Sequence, residues 1–359
     1  MKILFITDLI PIANDENCAK ALVPIIKELQ KEHEVDIIRP NFLLNSLIRG
    51  KKILKDGIYN CNGLTIQNLN FITPFLTLNQ NIDIDKYDKI IAHMPSGILF
   101  AKRLLSRNKE VKPYVAYAVH QSDIQVLTNF KYSIYFKTEL QNAYKNCDEI
   151  ICRSPHLKQK LLKLLPDCEH KVKINKFKIN SNQFLNEEKM LEKFKNIESL
   201  SFITAANFIK RKNLDLLIRA FSLHKNKAFT LKIIGTGKEE KSLKKLVDKM
   251  SLGQKIIFTG KLSQEKVLEE MKKSQIFILP SINETLGLVY FEAMGCGCFC
   301  IGTKNTGIDG IFHDNINCFL CEPTVNDISR VLNKTFDLTQ QDFENLLRNR
   351  KHIDVEFIS

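Results

Sequence analysis

No uninterrupted apolar run in this chain reaches the ~18 residues that a membrane-crossing helix needs, so no transmembrane span is expected. The N-terminus, MKILFITDLI, has one Lys, an early Asp8 and no small-residue cleavage site. It reads as a buried β-strand and not as a signal peptide. The ten cysteines lack the spacing of a disulfide framework. With no secretion signal, a reducing cytoplasm is the expected setting. No internal repeat, low-complexity tract or nucleic-acid motif is evident, and no nucleic-acid partner is expected.

What is present is ordinary for a folded soluble protein: 44% hydrophobic and 26% charged residues over 359 positions. At roughly 100–200 residues per domain, two domains are the default. The net charge is +13, and the excess is shared by both halves. Such a charge suits anionic partners, nucleotides and acidic membrane surfaces among them. One stretch, 47-LIRGKKILK-55, mixes cations with aliphatics and has no acids. It reads either as a peripheral contact with the anionic inner face of the cell membrane or as a solvated basic segment. Cys296, Cys298 and Cys300 alternate, and Cys318 and Cys321 form a CxxC. Yet 298-CFCIGT-303 reads as a buried strand, whose neighbouring side chains point to opposite faces, so no metal is expected there. The pair of acids in 83-DID-85 precedes a strand and reads as a surface loop.

Strand-like runs alternate with helix-like segments along the whole chain. The first half has KILFIT, EVDIIR, KIIAHM, YVAYAVH and EIICRS, with helical spacing in 97-GILFAKRLLSR-107 and 155-PHLKQKLLKLL-165. The pattern restarts with SFITAAN, TLKIIGTG, KIIFTGKL, QIFILPS and CFCIGT, with helical spacing in 213-NLDLLIRAFSLH-224 and 239-EEKSLKKLVDKM-250. This βαβ alternation predicts two doubly wound, Rossmann-like α/β domains with parallel sheets. The expected domains are 1–177 and 199–359, joined by a polar linker over 178–198. Ligands of such sheets bind beyond the carboxyl ends of strands, so a central cleft is expected.

Four segments carry candidate chemistry. In 281-SINETLGLVYFEAMGCGC-298, Glu284 falls in a strand-to-helix loop and Glu292 inside the helix that starts near Gly287. Over eight helical residues the rise is ~12 Å, so the acids are not a close catalytic pair. Between them the helix terminus at Gly287, Leu288 and Val289 offers backbone N–H groups and a positive dipole end. A ligand with an anionic middle and polyhydroxyl ends fits; a structural acid near a helix start is the competing reading. In 206-ANFIKRKNLDLLIRAF-221 a strand ends at Lys210, Arg211 and Lys212, which suit phosphate or form a solvated loop, and Asn213 is placed to cap the next helix. Gly235 and Gly237 let the backbone after a strand approach a ligand, but the third glycine of a dinucleotide fingerprint is missing. His120 ends a strand, with Gln121, Ser122 and Asp123 after it. It serves there as a proton relay titrating near neutrality, as a hydroxyl partner, or as a structural histidine.

Five segments in order, 206-ANFIKRKN-213, 234-IGTGKEEKSLKKLV-247, 257-IFTGKL-262, 279-LPSINETLGLVYFEAMGCG-297 and 306-TGIDGIFHDNINCFL-320, resemble the family 4 retaining glycosyltransferases of GT-B architecture. Glu284 and Glu292 match that family's glutamate–seven residues–glutamate motif. The resemblance implies a retaining, metal-independent transferase of the hexosyltransferase type. Its donor would be a UDP- or GDP-sugar and its acceptor a carbohydrate or lipid-linked hydroxyl. By resemblance Glu284 contacts the donor sugar, Glu292 the ribose, the Gly287–Val289 backbone the diphosphate and Lys212 its charge. The backbone at Lys261 and Leu262 receives the base, and His120 lies near the transferred sugar and the acceptor. Electrostatic preorganisation by Lys212 and the helix dipole would stabilise the leaving diphosphate.

Three positions depart from the family pattern. Asn207 stands where the family has Arg, leaving Lys210 and Arg211 to substitute. The loop 11-PIANDENCAK-20 has no glycine, and 350-RKHIDVEFIS-359 is expected to be shorter than the C-terminal helix of many relatives. The expected setting is cell-surface polysaccharide or lipopolysaccharide synthesis. A nucleotide-sugar epimerase of similar fold and a non-catalytic nucleotide-sugar-binding protein are the alternatives.

Overall fold

The computed structural model describes residues 1–10, 22–42, 55–71, 82–107, 112–129, 134–174, 184–195 and 197–349. The glycine-free loop 11–20, positions 47–54 of the basic stretch, the first part of the expected linker (178–183) and the segment from 350 lie outside them. Among the described residues no helix is long and apolar enough to cross a membrane. The chain divides into two compact units, Met1–Arg153 with Leu157–Asn175, and Ser154–His156 with Lys176–Ser359.

The first unit runs β1 (Lys2–Ile6), α1 (Val23–Leu29), β2 (Glu34–Phe42), β3 (Gly57–Cys61), β4 (Leu64–Phe71), β5 (Lys89–His93), α2 (Met94–Arg107), β6 (Tyr114–Ala118), α3 (Gln121–Thr128), α4 (Ile134–Asn146), β7 (Glu149–Cys152), α5 (Pro155–Leu164) and β8 (Val172–Ile174). Its sheet has the order β3-β4-β2-β1-β5-β6-β7-β8. The strand period of two decides the layers. Ile3 and Phe5 enter one core with Leu22 and Ile26, while Leu4 and Ile6 enter the other with Ile98, Leu140 and Leu161. Burial on both faces is why these strands read as continuous apolar runs.

The expectation of purely parallel sheets needs a correction at this edge. β3 pairs antiparallel with β4. Asn62 and Gly63 turn the hairpin with φ of 53° and 74°. A two-residue Asn-Gly turn favours this geometry because both central residues take positive φ.

The second unit runs α6 (Glu187–Glu192), β9 (Leu200–Ala205), α7 (Leu214–Ser222), β10 (Phe229–Ile234), α8 (Glu240–Lys249), β11 (Ile256–Gly260), α9 (Gln264–Lys273), β12 (Ile276–Ile278), α10 (Leu288–Gly295), β13 (Phe299–Thr303), β14 (Cys318–Cys321), α11 (Val325–Phe336) and α12 (Gln340–Arg348). Its sheet is parallel, in the order β11-β10-β9-β12-β13-β14. A cluster of Phe202, Phe221, Phe229 and Phe336 fills one face. The CxxC is strand β14, and Cys298, Cys300, Cys318 and Cys321 are buried thiols. Burial pushes Cys321 up to about 12, so it is a neutral core side chain.

Candidate functional site

The strand order reverses between β9 and β12. From β9 the chain winds outward to β11, then returns to lay β12 on the other side of β9. Such a switch point opens a crevice at the carboxyl ends of the two strands. The loops that leave β9 and β12 there are 206–213 and 279–287, which carry the cations and Glu284.

These loops are stitched to each other by backbone and side chain. The Ile282 amide donates to the Arg211 carbonyl at 2.9 Å. Asn213 Nδ2 donates to the Pro280 carbonyl at 2.8 Å. Asn213 was expected to cap α7, but it stands in the left-handed region at φ 51° and its side chain makes no cap bond. Its amide is spent across the crevice. The Gly307 amide donates to the Glu284 carbonyl at 2.9 Å, and a Cβ on Gly307 would come 2.3 Å from Thr285 backbone.

Glu284 is the centre of the polar cluster. Its Oε1 accepts from Ser281 Oγ at 2.5 Å, from Arg211 Nη1 at 3.0 Å, and from Lys212 Nζ. Lys212 is only 9% exposed. Burial pushes the Glu284 carboxyl up, but the Lys212 ammonium, Ser281 and Arg211 outweigh it and hold it below the usual carboxylate range. Burial lowers Lys212, against the pull of Glu284. A buried cation and anion in contact keep each other ionised where either alone would be neutralised. Of the cation loop, Asn207, Lys210 and Arg211 are exposed.

Gly287 opens α10 with φ 78° and ψ 53°. A Cβ there would approach Tyr290 Cδ2 to 2.8 Å and Ile308 Cγ2 to 3.2 Å, which together with the positive φ explains the glycine. Leu288 and Val289 form the first turn, whose N–H groups have no intrahelical acceptor. Glu292 lies in the second turn, as the spacing implied, and accepts from Gln264 Nε2 at 3.0 Å. Burial raises its carboxyl, opposed by Gln264. Lys261 is exposed and Leu262 half-buried, and Gln264 follows Leu262 by two residues.

Gly235 and Gly237 have a physical reason within the fold itself. A Cβ on Gly235 would fall 1.9 Å from the Ala206 carbonyl oxygen, and one on Gly237 2.5 Å from that of Phe208. The backbone they admit is the chain's own 206–208 loop, with the Phe208 amide donating to the Thr236 carbonyl at 2.8 Å. The two glycines seat the cation loop.

His120 belongs to the first unit and precedes α3. It is 8% exposed, and its Nε2 lies 3.0 Å from Nδ1 of His93 at the end of β5. Its backbone amide donates to Asp123 Oδ2 at 2.9 Å, and Tyr144 donates to Asp123 Oδ1 at 2.8 Å. Burial, then the nearby Arg153 charge, lowers His120 to about 3. Titration near neutrality, as expected for a proton relay, is therefore corrected: this imidazole is neutral at pH 7. Ser281, Gln264 and His93 escaped the sequence reading. His93 carried the same signal as His120, a histidine at the carboxyl end of an apolar run.

Residues 186–350 match the sequence model of the family described as Glycosyl transferases group 1. The matched residues lie in the second unit. An uncharacterized glycosyltransferase of Methanocaldococcus jannaschii is 29% identical over 259 residues, covering 71% of this chain and 67% of that one. The N-acetyl-alpha-D-glucosaminyl L-malate synthase of Bacillus anthracis is 32% identical over 148 residues, 41% of this chain. That match spans 37% of the Bacillus enzyme, little more than a third of its length. The crystal structure of Anabaena HepE in complex with UDP shares 15% identity with a TM-score of 0.72, over 100% of this chain and 96% of that one. The chain thus has the two α/β domains of the GT-B fold.

Proposed function

We propose that the protein is a retaining, family 4-type glycosyltransferase that moves a sugar from a nucleoside-diphosphate sugar to an acceptor hydroxyl. One observation carries the reading: Lys212, Arg211 and Ser281 converge on Glu284 at the switch point, three residues before the helix terminus at Gly287. The diphosphate would take the Gly287–Val289 amides and displace the cations from Glu284, freeing that carboxylate to accept from sugar hydroxyls. Glu292 would hold the ribose, and the backbone at Lys261 and Leu262 the base. With Asn207 uncharged, Arg211 supplies the second cation. The UDP held by HepE supports a uridine nucleotide as the first donor base to test.

In this scheme Lys212 and the α10 dipole stabilise the leaving diphosphate as its charge develops. No bound metal is assigned a step. His120, neutral, would accept from or donate to a sugar hydroxyl, and takes no proton from it at pH 7. The setting we propose is cell-surface glycan assembly on a carbohydrate or lipid-linked acceptor, with the 47–55 stretch resting on anionic lipid. Charge reversal of Lys51 and Lys52 should then abolish co-sedimentation with anionic liposomes.

A thermal-shift panel of UDP- and GDP-sugars identifies the donor, since a ligand of the folded state raises the melting temperature. Transfer to a simple glycoside, with the anomeric proton of the product read by NMR, should show the donor's configuration kept and survive EDTA. Inversion, or epimerised donor formed without acceptor, would refute the proposal.

A further inference from the structure

Glu292 is held from a second helix. Its Oε1 accepts from Gln264 Nε2 at 3.0 Å, from a residue 28 positions earlier. An ionised carboxylate only accepts, so the amide nitrogen is the end of Gln264 that faces it. Gln264 is the first residue of α9, whose N-cap Ser263 accepts from the Lys266 amide. Its backbone is therefore anchored, two residues beyond Leu262. The carboxylate has about four lone-pair sites, and Gln264 occupies one.

A vicinal diol presents two O–H donors in a fixed relation, and a carboxylate meets both only in one orientation. A glutamate in a helix has three rotatable bonds and loses that orientation unless something holds it. We propose that Gln264 is a positioning residue, fixing the Glu292 carboxylate in the orientation that grips the two ribose hydroxyls of the nucleotide. The inference rests on the nucleotide-sugar reading above. It makes preference for ribonucleotides over deoxyribonucleotides a joint property of α9 and α10.

The test is calorimetric binding of UDP, GDP and their 2′-deoxy counterparts to the full chain and to Gln264→Leu, Gln264→Glu and Glu292→Gln. Gln264→Leu should weaken the ribonucleotide about tenfold and the deoxy form much less, as loss of one bond to a charged group implies. A purely structural role would move both nucleotides alike and would overturn the proposal. Gln264→Glu keeps the shape but faces Glu292 with a like charge, so its ribose preference should shrink further as pH rises and both acids ionise. If Glu292→Gln loses the ribose preference while both Gln264 variants keep it, the positioning role is wrong and the nucleotide reading stands. If neither UDP nor GDP binds, or Glu292→Gln changes nothing, the nucleotide reading fails and this inference with it.

Discussion

Two buried polar clusters sit at the carboxyl ends of strands, and burial has opposite consequences in them. Around Glu284 a carboxylate meets a buried ammonium and a guanidinium, and the groups stay charged. Around His120 the partner of one imidazole is another imidazole, and both are pushed towards neutrality. Desolvation disfavours charge in each place, and only an opposite charge in contact reverses it. In the first cluster the cations are paired with a carboxylate, whereas in the second the two imidazoles exchange neutral hydrogen bonds beside the Arg153 charge.

The largest break in this comparison is Glu284→Ala. It strands the buried Lys212 without its counter-charge, which should cost about 3–5 kcal/mol in urea denaturation. Transfer should be lost while nucleotide binding is mostly kept, and Glu284→Ala combined with Lys212→Met should recover much of the stability. If the single variant is as stable as the parent, the ion pair has been misjudged.

Acid separates the clusters next. Glu284 has a depressed carboxyl, so its contribution is complete above the ordinary value of 4.5 and fades only as pH falls below that. His120, lowered from 6.5 to about 3, stays neutral in the fold while the unfolded chain takes up a proton, so stability falls as pH drops through that window. His93 acts in the same direction. Asp123, raised by burial to about 7, works the other way and partly offsets them, because its contribution is lost as pH rises towards 7. Replacing His93 and His120 with Asn should reduce the fall in stability as pH drops from 6.5 to 5, read by urea denaturation. An unchanged slope would mean that the imidazoles titrate normally.

Glu292→Ala should weaken nucleotide affinity about tenfold, ~1.4 kcal/mol, with little change in stability. Equal and small effects from Glu284→Ala and Glu292→Ala would sink the division of labour between them. Ser281→Ala should be the smallest break. It removes one of three donors to Glu284 Oε1 and should cost about 1 kcal/mol, because Lys212 and Arg211 keep the oxygen satisfied.

Much of the fold was legible. KILFIT and CFCIGT are strands because residues apolar on both faces suit only a covered parallel sheet. Glu284 in a loop and Glu292 in a helix followed from the glycines around them. The hairpin of β3 and β4 did not emerge, although Asn62-Gly63 between alternating residues is its signal. Weakly apolar edge strands fall below a search tuned to buried runs.

By itself the sequence determined the alternation of strands and helices, the switch from loop to helix at Gly287, and the local spacing of the two glutamates. These depend on periodicity and backbone freedom within a few residues. Only the tertiary structure decided that Lys212 meets Glu284 across 72 positions, that Gln264 holds Glu292, that Gly235 and Gly237 admit the chain's own loop, and that His120 is neutral. Charge state and partner are set by which strands become neighbours in the sheet and by how much water is excluded there. No local pattern in the chain encodes either.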